Sequence, residues 1–222
     1  LSTSIILALS ISFTKLLSKK GNMEIYELIS RISRNSPKIP WCFYNLIEGG
    51  VHDDLPNGLP FQEYLLIPQA TSPKESLEQV MVIIKILGED IQNKYEKLKH
   101  GDEGGDEIPN NNPVEGLRIL QNALCEASSA TGGPRLALDV AASTFYQDGL
   151  YKVGDEIMDT EKLLAYYQLL TTNYKLVSIE DPFAEDDWEG FEKITSNLGE
   201  KIWIIGDDLT TTNVKNIKKA YE

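Results

Sequence analysis

The run Lys175-Leu-Val-Ser-Ile-Glu180 is a short apolar stretch that ends in an acid. The same scheme occurs earlier in Arg135-Leu-Ala-Leu-Asp139 and later in Ile202-Trp-Ile-Ile-Gly-Asp207. A stretch with the spacing of an amphipathic helix follows each run, at 160–170, around 188–197 and from 213 onward. Alternating buried strands and amphipathic helices are typical of parallel βα units. The pattern therefore predicts an α/β fold, either a (β/α) barrel or a doubly wound sheet.

Each of these predicted strands ends in an acid, namely Asp139, Glu180 or Asp207. In a parallel barrel the carboxyl ends of successive strands converge on one mouth, where the active sites of this fold lie. Ionised acids at that mouth repel one another, and a bound divalent cation removes this cost. Acids at strand ends also cap the following helix in many proteins, which is the better explanation for any single one. Their repetition in consecutive units favours a site for Mg²⁺, which prefers oxygen ligands.

Upstream of these units the chain predicts further helices, from apolar residues at helical spacing, and strands, from short aromatic or apolar runs. In chain order they are a helical hairpin at 1–32 divided by Gly21-Asn22, strands at 40–46 and 61–67, a helix at 73–98, and a helix that Pro113 opens. Ser72 before Pro73 is a typical helix N-cap. A loop rich in Gly, Asp and Asn at 100–112 separates the last two helices.

The composition narrows the class of protein. The chain has 222 residues, of which 41% are hydrophobic and 25% charged, and this balance indicates a soluble globular protein. The net charge of -13 argues against nucleic acid and anionic membranes as partners. The apolar run Ile5–Ile11 is too short and too interrupted by Ser to span a bilayer. Cys42 and Cys125 are too few for a disulfide framework, which predicts a reducing, cytoplasmic compartment.

Two weaker candidates for function lie in predicted loops. In Gly101-Asp-Glu-Gly-Gly105 the glycines allow a ligand to approach an acidic pair closely, although such loops are usually solvated turns. His52 follows a Gly-Gly-Val segment, and Gln62-Glu63 lie on the strand after it. A lone His beside two Asp residues is more often a surface residue than a catalyst. Neither candidate identifies a reaction by itself.

Four segments, taken together and in this order, resemble the enolase family, the phosphopyruvate hydratases of glycolysis. They are Gly101-Asp-Glu-Gly-Gly105, Leu136-Ala-Leu-Asp-Val-Ala-Ala-Ser143, Ser178-Ile-Glu-Asp-Pro-Phe-Ala-Glu-Asp-Asp-Trp188 and Gly206-Asp-Asp-Leu-Thr210. The third is the most specific, and the resemblance extends over essentially the whole chain. It implies a partial enolase-type (β/α) TIM barrel at 37–222. The helices at 1–36 would then be a junction from the end of an N-terminal domain.

The resemblance also implies roles for individual residues. Asp139, Glu180 and Asp207 match the family's Mg²⁺ ligands, and the last two also lie on the substrate side. Glu103 matches the acid that helps to expel the 3-hydroxyl as water, and Asp208 resembles an acid that supports the third ligand. Three further residues match substrate-side positions of the family: His52, Gln62 and Glu63.

The implied activity is the Mg²⁺-dependent, reversible dehydration of 2-phosphoglycerate to phosphoenolpyruvate. Removing a proton next to a carboxylate creates a doubly charged enolate. In enolase-type sites a Lys or His base removes the proton, and one or two Mg²⁺ ions stabilise the charge. In the family the base is a Lys on a later strand, followed by a His-Arg-Ser segment, and both are expected beyond Glu222. The resemblance further implies a homodimer in the cytoplasm.

Two alternatives remain open at the level of sequence. A diverged, non-catalytic enolase-like protein would serve as a binding or structural module. Another member of the wider metal-dependent superfamily would share the three carboxylates but act on a different substrate. The near-verbatim segment Ser178–Trp188 favours enolase over that second alternative.

Overall fold

The computed structural model describes residues 2–96, 99–127 and 133–222, and the chain divides into two compact units, Leu1–Trp41 and Cys42–Glu222. The first unit contains the helices α1 (Thr3–Lys20) and α2 (Ile25–Ser33). Between them the Gly21 N–H donates to Leu17 O, and Asn22 has a positive φ, which ends α1 where the sequence predicts a break. The predicted helical hairpin is therefore confirmed for the described residues, and Leu1 lies outside them.

The second unit alternates strands and helices. Its strands are β1 (Tyr44–Glu48), β2 (Glu63–Ile67), β3 (Asp106–Glu107), β4 (Arg135–Asp139), β5 (Tyr146–Gln147), β6 (Leu150–Val153), β7 (Glu156–Met158), β8 (Ser178–Glu180) and β9 (Trp203–Ile205). Its helices are α3 (Pro73–Tyr95), α4 (Pro113–Ala127), α5 (Thr160–Tyr174), α6 (Trp188–Leu198) and α7 (Val214–Tyr221). The predicted strands and helices occur in the predicted order, with additional strands at β3, inside the loop predicted at 100–112, and at β5–β7.

The large sheet has the strand order β3-β1-β2-β4-β8-β9 in the described residues. Strands β4, β8 and β9 are parallel, as the repeated βα pattern predicts. Strand β2 is antiparallel to both of its neighbours, β1 and β4. The connection between β1 and β2 contains no crossover helix of the kind that parallel neighbours need. Because β2 is reversed, its first residue lies at the edge where β1 and β4 end.

Packing of helices against this sheet forms the core. Helix α3 buries residues at helical spacing, including Val80, Ile83 and Leu87, and Ser72 caps its first turn by accepting the Glu75 N–H. Helix α4 approaches β2 closely, because a Cβ at Gly116 would lie 2.6 Å from the Tyr64 ring. The core thus holds β2 and β4 rigidly behind the edge where the acids lie.

Strands β5, β6 and β7 form a second, antiparallel sheet that the sequence analysis did not predict. Asp148 and Gly149 both have positive φ, which matches the two-residue turn that an Asp-Gly pair favours in hairpins. The sheet supports the chain after β8, since the Tyr151 hydroxyl donates to Asp187 Oδ2 at 2.7 Å and accepts the Ala184 N–H at 3.1 Å. It therefore fixes the segment that leads from β8 into α6.

Some boundaries differ from those predicted. Strand β1 begins later than the predicted run 40–46 and continues to Glu48. Helix α3 ends at Tyr95, before the predicted end at 98, because Glu96 takes a left-handed backbone conformation with φ +60°. Residues 97–98 themselves lie outside the described residues. In the part of the chain that the structure describes, none of the helices has the length and apolar character needed to cross a membrane.

Candidate active site

A cavity of about 610 Å³ lies beside the acid-bearing edge of the large sheet. Its lining includes seven site residues predicted from the sequence, but not Asp208: His52, Gln62, Glu63, Glu103, Asp139, Glu180 and Asp207. The rest of its described lining is Phe43, Asn45, Leu65 and Ile205. The fold thus brings together residues that are spread over most of the second unit, although this proximity does not assign their roles.

The register of the strands explains why the acids converge. Asp139 pairs with Glu63 on one side and with Glu180 on the other, so the three side chains leave the same face of the sheet. Glu180 in turn pairs with Ile205, and Asp207 follows two positions later. Strands β4 and β8 contribute their last residues, whereas the reversed strand β2 contributes its first.

Burial and mutual repulsion hold protons on these carboxylates. Burial raises the pKa of Asp139 to about 8, and the charges of Glu180 and Glu63 add to the shift. Burial also raises the pKa of Glu180 to about 7, with further contributions from Asp181 and Asp207. For Glu63, burial followed by a hydrogen bond with Glu103 raises the pKa to about 7. Without a counterion the site is therefore partly protonated at neutral pH.

This donor set fits a hard divalent cation. A cation lowers the cost of keeping several carboxylates ionised in one place, and Mg²⁺ takes oxygen ligands. Asp139, Glu180 and Asp207 supply carboxylate oxygens to one wall of the cavity. The composition of the described lining carries this fit, because it holds five carboxylates and neither Lys nor Arg to offset their charge.

A second cluster of potential metal ligands in the same cavity includes a histidine nitrogen. Potential ligand atoms of His52, Glu63 and Glu103 all lie within 4.8 Å of one another. His52 Nδ1 is 4.0 Å from Glu103 Oε1, and within the described residues it is buried without a hydrogen-bond partner. A mixed nitrogen and oxygen set is unlike the all-oxygen set that Mg²⁺ prefers. The cluster is better suited to proton transfer and substrate contact than to Mg²⁺.

Asp181 positions the turn that carries Asp207, a role that the sequence analysis missed. Its side chain is buried, and Oδ2 accepts the Asp208 N–H at 2.9 Å. Its own N–H donates to Ile205 O at 3.0 Å. The signal was present in the second acid of Glu180-Asp181, which follows directly on β8. Asp208, predicted to support the third ligand, contributes its backbone N–H to this turn.

Glu48 is a second residue that the sequence analysis missed. It ends β1, pairs with Glu63 and is fully buried. The predicted strand at 40–46 ends two residues before this acid. Nevertheless, Asn45-Leu-Ile-Glu48 is itself a strand that ends in an acid, the pattern that identified Asp139 and Glu180. Extending that pattern to β1 would have found it.

These features define a class: an α/β protein whose strand ends carry carboxylates around one cavity with the donor set of a divalent-cation site. Residues 36–222 match the family model of the enolase C-terminal TIM barrel domain. The chain therefore belongs to the enolase family, and the barrel is the correct choice over a doubly wound sheet. It carries part of such a barrel, preceded by helices.

Full-length relatives agree with this assignment. The enolase of Pyrococcus furiosus is 40% identical over 98% of this chain and 51% of its own length. The enolase of Thermococcus gammatolerans is 40% identical over 100% of this chain and 52% of its own length. The enolase of Ehrlichia canis is 36% identical over 97% of this chain and 51% of its own length. The chain thus spans about half the length of the curated relatives it matches.

Proposed function

We propose that this chain is part of an enzyme that catalyses the Mg²⁺-dependent, reversible dehydration of 2-phosphoglycerate to phosphoenolpyruvate. The observation that carries the proposal is the single cavity that brings Glu103 together with Asp139, Glu180 and Asp207 in a member of the enolase family. A homodimer in the cytoplasm, and 1–36 as the junction from an N-terminal domain, remain predictions from the family resemblance.

Asp139, Glu180 and Asp207 are the residues that would hold Mg²⁺. When bound there, the ion would supply Lewis-acid stabilisation of the charge that develops on the substrate carboxylate. The register of β4 and β8 places Asp139 beside Glu180. The turn that Asp181 holds positions Asp207. The raised pKa values of Asp139 and Glu180 support this assignment, because cation binding would recover the cost of ionising these two carboxylates.

Glu103 is proposed as the acid that protonates the departing hydroxyl group. Its side chain is 54% exposed, so a substrate in the cavity can reach it. Burial, followed by the hydrogen bond with Glu103, raises the pKa of the neighbouring Glu63 to about 7. A carboxylic acid placed within reach of a leaving oxygen can act as a general acid. The family resemblance assigns the base to a later strand of the barrel.

His52 and Gln62 are proposed to contact the substrate. Both line the cavity from the chain between β1 and β2, and His52 Nδ1 lies near the Glu103 carboxylate. An unpartnered ring nitrogen can bind a substrate oxygen without first breaking a protein hydrogen bond. The segment between β1 and β2 therefore contributes His52 and Gln62 to the lining of the cavity.

The test is the rise in ultraviolet absorbance as phosphoenolpyruvate forms from 2-phosphoglycerate. The full-length gene product is assayed with Mg²⁺, with excess chelator, and as the Asp207→Asn variant. Turnover is expected with Mg²⁺ alone, and loss of most of it is expected in the other two arms. Glu78→Gln, on the exposed side of α3, is the matched control that retains turnover. Absence of turnover by the folded wild-type protein with Mg²⁺ would reject the proposal and favour the non-catalytic alternative.

A further inference from the structure

Glu48 is a buried carboxylate that no step of the proposed reaction uses. Its exposed fraction is 0%, and it lies in register between Glu107 on β3 and Glu63 on β2. A buried carboxylate is costly unless hydrogen-bond donors surround it. The donors that Glu48 has in the described residues therefore indicate what it does.

Two of those donors are backbone N–H groups of the loop that carries Glu103. Glu48 Oε1 accepts the Gly105 N–H at 2.7 Å, and Oε2 accepts the N–H of Glu103 itself at 3.3 Å. Asn45 Nδ2 donates to Oε1 at 3.1 Å from within β1. The proposed acid is thus tied through its own backbone to a strand of the rigid sheet.

The loop is shaped around this carboxylate. A Cβ at Gly101 would collide with Glu48 Oε2, and a Cβ at Gly105 would lie 2.8 Å from Glu48 Cγ. The loop is closed on itself, since the Gly101 N–H donates to Gly105 O at 2.9 Å. The two glycines at its ends therefore allow the backbone to reach Glu48, which any larger side chain would prevent.

We propose that Glu48 is a positioning residue for Glu103, and this inference rests on the proposed function. Glu48 accepts a hydrogen bond from the backbone N–H of Glu103. The Glu103 side chain lines the cavity, with its carboxylate near His52 Nδ1. A general acid must be held within hydrogen-bond reach of the leaving oxygen, and a misplacement of about 1 Å can cost about 100-fold in rate. Glu48 thereby acts on the second half of the reaction without touching the substrate.

Glu48→Gln separates the two loop contacts. Glutamine keeps one acceptor oxygen, which is expected to stay with the Gly105 N–H and Asn45 Nδ2. Its amide nitrogen then faces the Glu103 N–H, and two donors cannot bond to each other. The variant conserves volume and the Gly105 contact but releases Glu103. Glu78→Gln, an exposed change of the same chemistry, is the matched control.

The kinetic test uses the full-length gene product with 2-phosphoglycerate and Mg²⁺. Glu48→Gln is expected to lower kcat for dehydration by about 10-fold to 100-fold and to change KM by less than about twofold. Exchange of the carbon-bound 2-proton with solvent is expected to persist, because Glu103 does not remove that proton. Adding Glu48→Gln to Glu103→Gln is expected to lower kcat no further, since both changes act through one group. Equal loss of exchange and dehydration, or an additive loss in the double variant, would overturn the proposal.

Amide hydrogen exchange provides a readout that does not depend on activity. In Glu48→Gln the Glu103 amide is expected to exchange at least about tenfold faster, while the Gly105 amide stays protected. Unchanged exchange at Glu103 would overturn the positioning role even if turnover fell. If the wild-type protein shows no turnover, the proposed function fails, and the amide data alone then decide whether Glu48 holds Glu103.

Discussion

Two groups of partly buried ionisable residues, one around Glu115 and one around Asp139, shift the pKa of their carboxylates in opposite directions. Between α3 and α4, Glu115 accepts hydrogen bonds from Arg118, Lys94 and Tyr95, and the Arg118 bonds lower its pKa to about 2. In the cavity, burial and neighbouring acids raise the pKa of Asp139 to about 8. The first group is neutralised by its own chain, whereas the second is left with excess negative charge. Uncompensated charge in a concave site is typical of a place that binds a ligand.

The largest expected difference between the two groups is in catalysis. In the full-length gene product, Glu103→Gln is expected to lower phosphoenolpyruvate formation by about 10²-fold to 10⁴-fold, the usual contribution of a general acid. Solvent exchange of the 2-proton should survive, because another residue removes that proton. Glu115→Gln, in the compensated group, should leave kcat unchanged at a temperature where the variant is folded. Parallel loss of exchange and turnover in Glu103→Gln would reassign Glu103 to substrate positioning.

Binding of Mg²⁺ provides the next largest effect. An ion that binds only the folded state stabilises it by about 2.7 kcal/mol when its concentration is 100 times Kd. Calorimetry of the full-length gene product should therefore show a higher Tm with Mg²⁺, and Asp207→Asn or Glu180→Gln should remove most of the shift. Glu115→Gln should lower Tm but keep the Mg²⁺-dependent increase. A wild-type Tm that does not respond to Mg²⁺ would contradict the metal site.

In the absence of metal, removing a carboxylate should destabilise the fold in the group around Glu115 but not in the group around Asp139. Removing the charge of Glu115 leaves Arg118 and Lys94 without their partner, and this should cost about 2 kcal/mol, the scale of hydrogen bonds to charged groups. The measurement is the free energy of unfolding from urea titration of Glu115→Gln in chelator. Asp139→Asn, which cannot ionise and can still accept the Ala141 N–H through its amide oxygen, should be neutral or stabilising under the same conditions. A destabilised Asp139→Asn variant would contradict the unfavourable ionisation assigned to Asp139.

The last difference is the pH dependence of stability, and its sign differs between the two groups. For Asp139 the pKa of the folded state lies above the ordinary value of 3.8, so the folded state binds more protons and metal-free stability falls as pH rises from about 4 towards about 8. For Glu115 the pKa of the folded state lies below 4.5, so stability is lost as pH falls from that value towards about 2. Urea titrations in chelator should show that Asp139→Asn removes the pH dependence of stability between about pH 4 and about pH 8. The loss of stability below about pH 4.5, which is due to Glu115, should remain. A slope above pH 5 that is the same in the variant and the wild type would refute the assigned cause.

The parts of the fold that repeat were predictable, and the parts that depend on single contacts were not. Asp139 and Glu180 follow from the rule that strands of βα units end at one edge, and the structure pairs them directly. Glu48 obeys the same rule, but its strand begins late after Pro40 and was ended too early. That Glu48 binds the Glu103 backbone depends on a contact across 55 residues, which no local pattern encodes. The Asp148-Gly149 pair is a local sequence signal for the hairpin between β5 and β6, although the sheet was not among the predicted elements.

The reversed strand β2 also bears on the order in which the chain folds. The β1–β2 pair joins neighbouring segments, whereas the contact of Glu63 with Asp139 brings together residues separated by both α3 and α4. Contacts that close long loops form late, because the chain entropy must be lost before they contribute. We therefore expect the cluster of acids to be completed after α3 and α4 have packed, so that repulsion among these carboxylates opposes the later steps of folding rather than the early collapse.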